Sequence, residues 1–206
     1  MESTNQILLE NIQNSISEVV PKKKIGIAFS GGVDSTLVSK ICTDMGFDVV
    51  LLTIGFSESH DIIFSKEVNE FLNYSHHVLE IDPETFPKIT TDIHKVIDTD
   101  NLSWNENCIA FHYVSKLAKS LNLDVVITGN GIDELFCGYN AYREAFVGGQ
   151  SKINEVMDSK LENELKMMKA VNVIASEFDV KILQPLLSAK FIEYAKTIPI
   201  TEKIHS

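Results

Sequence analysis

The sequence predicts an α/β fold: a mainly parallel, Rossmann-like sheet sandwiched between helices on both faces, followed by a helical C-terminal part. Three observations carry this expectation. "KIGIAF" (24–29) and "DVVLLTIGF" (48–56) are short, β-branched apolar runs without clean alternation, as in strands covered on both faces, and "SHHVLEI" (75–81) and "LDVVITG" (123–129) add two more. Helical patterns of ten or more residues separate these runs, so successive strands are joined by crossovers and lie parallel. The 206 residues are 44% hydrophobic, enough to bury a core as one domain without staples.

Taken in order, the elements begin with "NQILLENIQNSISEVV", which places Ile7, Leu8, Ile12, Ile16 and Val19 at helical spacing before "PKKK" breaks the pattern. Helices are expected over 33–45, 61–72, 85–98 and 107–121. "TDNLSWNEN" (98–106) is rich in Asn, Asp and Ser and reads as a substrate-facing loop, with Trp104 as pocket wall or loop anchor. Beyond "VGGQ" (147–150) the pattern is helical, with Glu162 and Lys166 in the favourable i, i+4 order, and "LLSAKFIEYAKTIP" forms a final helix. The expected organisation is a single domain over 1–206, with an N-terminal helix (1–23), an α/β core (24–150) and a helical C-terminal part (151–206).

Charge narrows the partners. Eighteen Lys and Arg face 29 Asp and Glu, for a net charge of −11, and Arg143 is the sole arginine. Phosphate backbones and anionic membranes are bound by clustered cations, so the balance argues against a nucleic-acid or membrane surface. Three widely spaced cysteines, Cys42, Cys108 and Cys137, suggest neither a disulfide framework nor a zinc knuckle and fit a reducing compartment. The start "MESTNQILLENIQ" is not a secretory signal, and no apolar run approaches the roughly 18 residues of a membrane span, so a cytoplasmic protein is expected.

The chemistry concentrates in two glycine-bearing stretches. "SGGVDS" (30–35) lies between the first strand, ending at Phe29, and the first core helix. Its glycines allow close backbone approach, the helix aims free N–H groups at the turn, and Ser30 and Ser35 add hydroxyls, which together make an anion site. Asp34 beside an anion is explained by Mg²⁺, which bridges carboxylate and phosphate oxygens. The spacing is neither that of a Walker A loop nor of a dinucleotide-binding G-x-G-x-x-G. The second stretch, "ITGNGIDELFCGYNAYR" (127–143), follows another strand and is rich in glycine and acidic residues.

"SGGVDS" resembles the pyrophosphate-binding loop, or PP-loop, of the N-type ATP pyrophosphatases, which split ATP between its α and β phosphates. The second stretch resembles the S-G-E-G-x-D-E-x-F-x-G-Y signature of the asparagine synthetase synthase domain, with Thr128, Gly129, Gly131, Asp133, Glu134, Phe136, Gly138 and Tyr139 in register. The similarity runs from about residue 24 to 200. It implies an adenine nucleotide alpha hydrolase-like fold that takes ATP and Mg²⁺. The nucleotide would lie along Phe29, Ser30, Gly31, Gly32, Val33, Asp34 and Ser35, the strand end Thr53, Ile54 and Gly55, and Thr128, Gly129 and Gly131. Asp34 and Asp133 would hold the metal, and Asp34, Asn130, Asp133 and Glu134 form the catalytic set. The implied reaction is adenylation of a small-molecule carboxylate, release of pyrophosphate, and transfer to ammonia or an amine, supplied free or by a separate glutaminase. Glu2 stands where the family's glutaminase has its nucleophilic cysteine, so no glutaminase domain is expected. A homodimer is left open.

Several positions depart from the family pattern. Asn130 replaces the glutamate that handles a proton during amide formation, and Asn is no base, so Glu134 becomes the nearest carboxylate for that task. Leu183, Leu186 and Ser188 replace the Arg, Phe and Asp of an Arg-x-Pro-Phe-Leu-Asp element. The family's pyrophosphate-binding lysine has no assigned counterpart, and Lys181 and Lys203 are named only as candidates. Cys108 and His112, four apart on a helix, are expected to form a packed face, and His76 and His77 to be half-buried strand residues. Two alternatives stand beside the ligase: a PP-loop sulfur transferase or tRNA-modifying enzyme using Cys137, and a nucleotide-binding partner subunit with reduced catalysis.

Overall fold

The structure, a computed structural model, describes residues 4–204; Glu2 lies outside them. Its contacts divide into two compact units, one made of Lys22–Thr128 with Met167–Leu183, the other of residues through Pro21, Gly129–Lys166 and those from Gln184 onward.

The first unit holds a five-stranded, all-parallel sheet in the order β3-β2-β1-β4-β5, formed by β1 (Lys24–Ala28), β2 (Asp48–Gly55), β3 (Ser75–Glu80), β4 (Val125–Ile127) and β5 (Lys181–Leu183). Ile25, Ile27, Leu51, Leu52, Val126 and Ile127 are each 1% exposed or less, as the unbroken apolar runs require of strands covered on both sides. Because β2 and β3 grow to one side of β1 and β4 and β5 to the other, right-handed crossovers place their helices on opposite faces. The order reverses between β1 and β4, whose carboxyl ends therefore flank the crevice where doubly wound sheets bind ligands.

The helices of this unit are α2 (Val33–Asp44), α3 (His60–Leu72), α4 (Phe86–Ile97) and α5 (Leu102–Ser120), each within a few residues of its expected span except α5. The expected loop 98–106 is helical from Leu102, because Asn101 is the N-cap and its side chain accepts from the Trp104 N–H at 3.2 Å. Cys108 is fully buried, and His112 packs edge-on against Tyr113 and Phe178, so this pair is core.

The second unit contains α1 (Thr4–Val19), α6 (Ile132–Leu135), α7 (Asn140–Phe146), α9 (Ala189–Thr197) and α10 (Ile200–Lys203). In α1, Ile12 and Ile16 are buried and Ser15 bonds to Pro185 O and, at 2.8 Å, to the Ser188 hydroxyl. The long α8 (Gly149–Ser176) carries the expected Glu162–Lys166 pair at 2.6 Å. The C-terminal part is not wholly helical: Lys181–Leu183 form β5, whose Ile182 N–H donates to Asn172 Oδ1 at 3.0 Å, and Pro185–Leu187 form a 3-10 turn.

Candidate functional site

The glycine-rich loop follows β1 at the reversal point of the sheet. Phe29 is buried, its N–H donates to Leu52 O at 2.9 Å, and its carbonyl accepts from the Thr53 hydroxyl at 2.6 Å. That hydroxyl also meets His76 Nε2 at 2.8 Å and, being a donor to Phe29, accepts there. Thr53 thus fixes the strand end from behind, while Ile54 and Gly55 are partly open beyond it. Gly31 has φ of +80°, and a Cβ there would come within 3.1 Å of Phe64 Cδ1 and of Ser65 Cα, so the turn excludes any side chain.

The loop is laced by its own hydroxyls. Gly32 N–H donates to Ser30 Oγ at 3.2 Å, Ser35 Oγ–H donates to Gly32 O at 3.2 Å, and Thr36 Oγ1–H donates to Gly31 O at 3.2 Å. Ser35 is buried and holds the loop's shape, whereas Ser30 and Val33 face outward. The N-cap of α2 is Gly32, which has no side chain with which to cap the helix, and Asp34 lies in the first turn. Such an end is shaped for an anion. Thr128, at the end of the neighbouring β4, is buried, and its N–H donates to Leu183 O at 3.1 Å.

In the second unit, Gly129 leads into the turn that opens α6. Asp133 and Glu134 lie in the first turn of this helix. Asp133 is half-buried against Gly138, where a Cβ would fall 1.9 Å from its Oδ1, so only glycine leaves that carboxylate its place. Glu134 is 4% exposed; one oxygen accepts from Gly131 N–H at 3.1 Å and the other from the Tyr139 hydroxyl. Burial, then this bonded carboxylate, push the Tyr139 phenol far above its ordinary range and keep it a donor. Cys137 has φ of +63°, a conformation that favours glycine.

Asn130 Nδ2 donates to Glu164 Oε1 at 2.6 Å, reaching across 34 residues to α8. Glu164 is 6% exposed, and burial first, then the Glu134 charge, raise its carboxyl to about 7, against the opposing effect of the Asn130 bond. Sequence reasoning missed this residue. Its signal was present: Ile153, Met157, Leu161 and Met168 are buried at helical spacing, and Glu164 sits on that stripe.

The substituted tail residues have structural work. Leu186 is 1% exposed, Leu183 O receives the Thr128 N–H, and Ser188 caps α9 by accepting from Phe191 N–H at 3.3 Å. Lys181 is exposed, and Lys203 donates to Ala195 O at 2.6 Å at the end of α9. Among the described residues no group of three or more His, Cys, Asp or Glu side chains is arranged to hold a metal, and no helix is long and apolar enough to cross a membrane.

A parallel doubly wound sheet with a PP-loop at its reversal point defines the class. The chain belongs to the asparagine synthase family, whose model matches residues 8–176. It is 27% identical to a putative glutamine-hydrolyzing asparagine synthetase of Methanocaldococcus jannaschii over 209 residues, covering 98% of this chain and 38% of that protein. The probable asparagine synthetase of Dictyostelium discoideum is 21% identical over 93% of this chain and 37% of its own length. The glutamine-hydrolyzing asparagine synthetase of Asparagus officinalis is 24% identical over 92% of this chain and 34% of its own length. The chain therefore spans little more than a third of these relatives. Among solved structures, NMN synthetase from Francisella tularensis aligns over 67% of this chain and 59% of its own, at 21% identity and a TM-score of 0.47, too distant to bear on activity.

Proposed function

We propose that this chain is an ATP-dependent, AMP-forming amide ligase of the asparagine synthetase type. A substrate carboxylate attacks the α-phosphorus of ATP and pyrophosphate leaves. Ammonia or an amine then forms a C–N bond at the acyl carbon, and AMP departs with the C–O electron pair. The observation that carries the reading is the placement of "SGGVDS" at the end of β1 beside β4, where it leads into the first turn of α2. Backbone N–H groups at a helix start stabilise the charge that builds on departing phosphates.

The donor set fits Mg²⁺ that arrives with the triphosphate. Asp34 and Asp133 are hard oxygen ligands of the kind Mg²⁺ takes, each in the first turn of its helix. Asp34 and Asp133 would hold it, and the ion would neutralise charge on the leaving pyrophosphate. Phe29, Ile54, Gly55, Thr128 and Gly129 are the residues we assign to AMP, and Ser30, Gly31, Gly32, Val33 and Ser35 to the phosphates. The carboxylate and the amine are small molecules, and the amine comes free or from a separate glutaminase.

The cysteines speak against the sulfur-transfer alternative. Burial pushes Cys42 up to about 12 and Cys108 up to about 11, and Cys137 is also raised, so no thiol is poised as a nucleophile near neutral pH. The ligase reading is tested by pyrophosphate release with Mg–ATP across a panel of carboxylates and amines that includes L-aspartate and ammonium. Release above an Asp34→Asn control is expected. Release no greater than that control contradicts it, and calorimetric ATP binding without turnover in that case identifies a nucleotide-binding subunit.

A further inference from the structure

We infer that Glu164 is the proton acceptor of the amide-forming half-reaction, with Asn130 holding its carboxylate in position. The inference rests on the function proposed above and deepens it by assigning the step that Asn130, lacking basicity, leaves open.

Three features of the second unit converge. The residue in the place of the family's proton-handling glutamate is an amide whose nitrogen donates at 2.6 Å to a carboxylate on α8. An Asn cannot take a proton, but its amide N–H₂ can orient a group that does. Where the family pattern has a carboxylate at position 130, this chain has an amide with a carboxylate one hydrogen bond away.

The second feature is that Glu164 occupies a position where folding alone would favour an apolar residue. It is buried on the Ile153–Met157–Leu161 stripe, and no Lys or Arg forms an ion pair with it among the described residues. Lys160, one turn away, is directed over the Tyr139 ring, 4.8 Å from its centroid. A buried carboxylate without a cation costs stability, and such cost is characteristic of functional sites.

Thirdly, the two buried carboxylates differ in what they have left to give. Glu134 accepts at both oxygens, from Gly131 N–H and Tyr139 Oη–H, and is bound into the turn that opens α6. Asn130 is the one hydrogen-bond donor on Glu164 among the described residues. The groups facing Glu164 are Asn130 and Glu134 from the motif, with Tyr139 beyond Glu134. Burial, and after it the charge of Glu134, lift Glu164 to about 7, where a carboxylate is basic enough to take a proton and still substantially ionised.

In the step assigned to it, a neutral amine nitrogen bonds to the acyl carbon of the adenylate, and the C–O bond to AMP breaks with its electron pair leaving on the phosphate. The single proton shed by nitrogen passes to the Glu164 carboxylate. Charge and atoms balance without a further reactant.

The test separates the half-reactions in the full chain. ATP–pyrophosphate exchange, with L-aspartate first and then the carboxylate panel, reads adenylation; AMP-coupled product formation with ammonium or hydroxylamine reads amide formation. Glu164→Gln keeps an acceptor for Asn130 but cannot take a proton. At pH 7 it is expected to lower amide formation by about 100-fold or more, the usual contribution of a general base, and exchange by less than about tenfold. The rise of wild-type amide formation near pH 7 is expected to vanish in the variant. The double variant Asn130→Glu with Glu164→Gln, which returns the carboxylate to position 130, is expected to regain at least about tenfold over the single variant. Amide formation within about threefold of wild type in Glu164→Gln overturns the inference while adenylation stands. Equal loss of both half-reactions marks Glu164 as structural and also overturns it. Absence of exchange in the wild type with every carboxylate removes the proposed function, and this inference with it.

Discussion

Asn130 and Glu164 are joined by a hydrogen bond inside the second unit, and the burial of Glu164 has a consequence for stability. Glu164 is raised from 4.5 to about 7 in the folded chain, so between those values the native state binds more protons than the unfolded one. Its contribution to stability therefore falls as pH rises from about 4.5 to about 7 and stays low above that window. Glu164→Gln removes this penalty. Chemical denaturation at pH 8 is expected to show the variant more stable by on the order of 2 kcal/mol, shrinking towards pH 5; no gain at pH 8 would mean the carboxylate is not raised by burial. Tyr139→Phe, in contrast, takes a donor from buried Glu134 and is expected to destabilise by about 1–3 kcal/mol in the same measurement. At this scale the short helix α6 around Asp133 was missed, its four residues reading as a turn after a strand, while the helix start at Asp34 was legible. Glu164 was not, because Glu162 and Lys166 beside it make the helix look solvated. The contact that gives Glu164 meaning lies 34 residues away.

At the scale of elements, helices and strands followed apolar periodicity closely, and the exceptions have local causes. Asn, Asp and Ser favour loops and also cap helices, and 98–106 does both: Asp98 ends α4 in the left-handed conformation and Asn101 starts α5. Asn101→Ala is expected to cost about 1 kcal/mol in thermal or chemical melts, and a cost near zero would show the cap to be incidental. β5 escaped notice because three residues are too few for any periodicity; its pairing with β4 is a tertiary effect. The PP-loop was fully legible as a turn. Its tightness at Gly31, where Phe64 and Ser65 press from α3, was not. Gly31→Ala adds positive-φ strain and a steric contact, so ATP affinity by calorimetry is expected to fall about tenfold or more. Unchanged affinity would remove the loop from the phosphate site.

At the scale of the whole molecule, the alternation of strands and helices announced a parallel sheet, and the pairing of β1 with β4 puts the expected nucleotide loop and the start of the second motif on adjacent strands. Strand order itself could not be read from the chain, since apolar runs covered on both faces carry no label for their neighbours. Family membership motivates the proposed adenylation, while the chain spans 38% or less of the relatives compared, so its own reaction has to be measured on its own residues. The most direct measurement is ATP–pyrophosphate exchange over carboxylates beginning with L-aspartate, in wild type and Asp34→Asn. Adenylation at the PP-loop predicts carboxylate-dependent exchange that falls by about 100-fold or more when Asp34 loses its charge, as expected for a lost metal contact to the leaving group. Carboxylate-dependent exchange that is equal in the two proteins would contradict it.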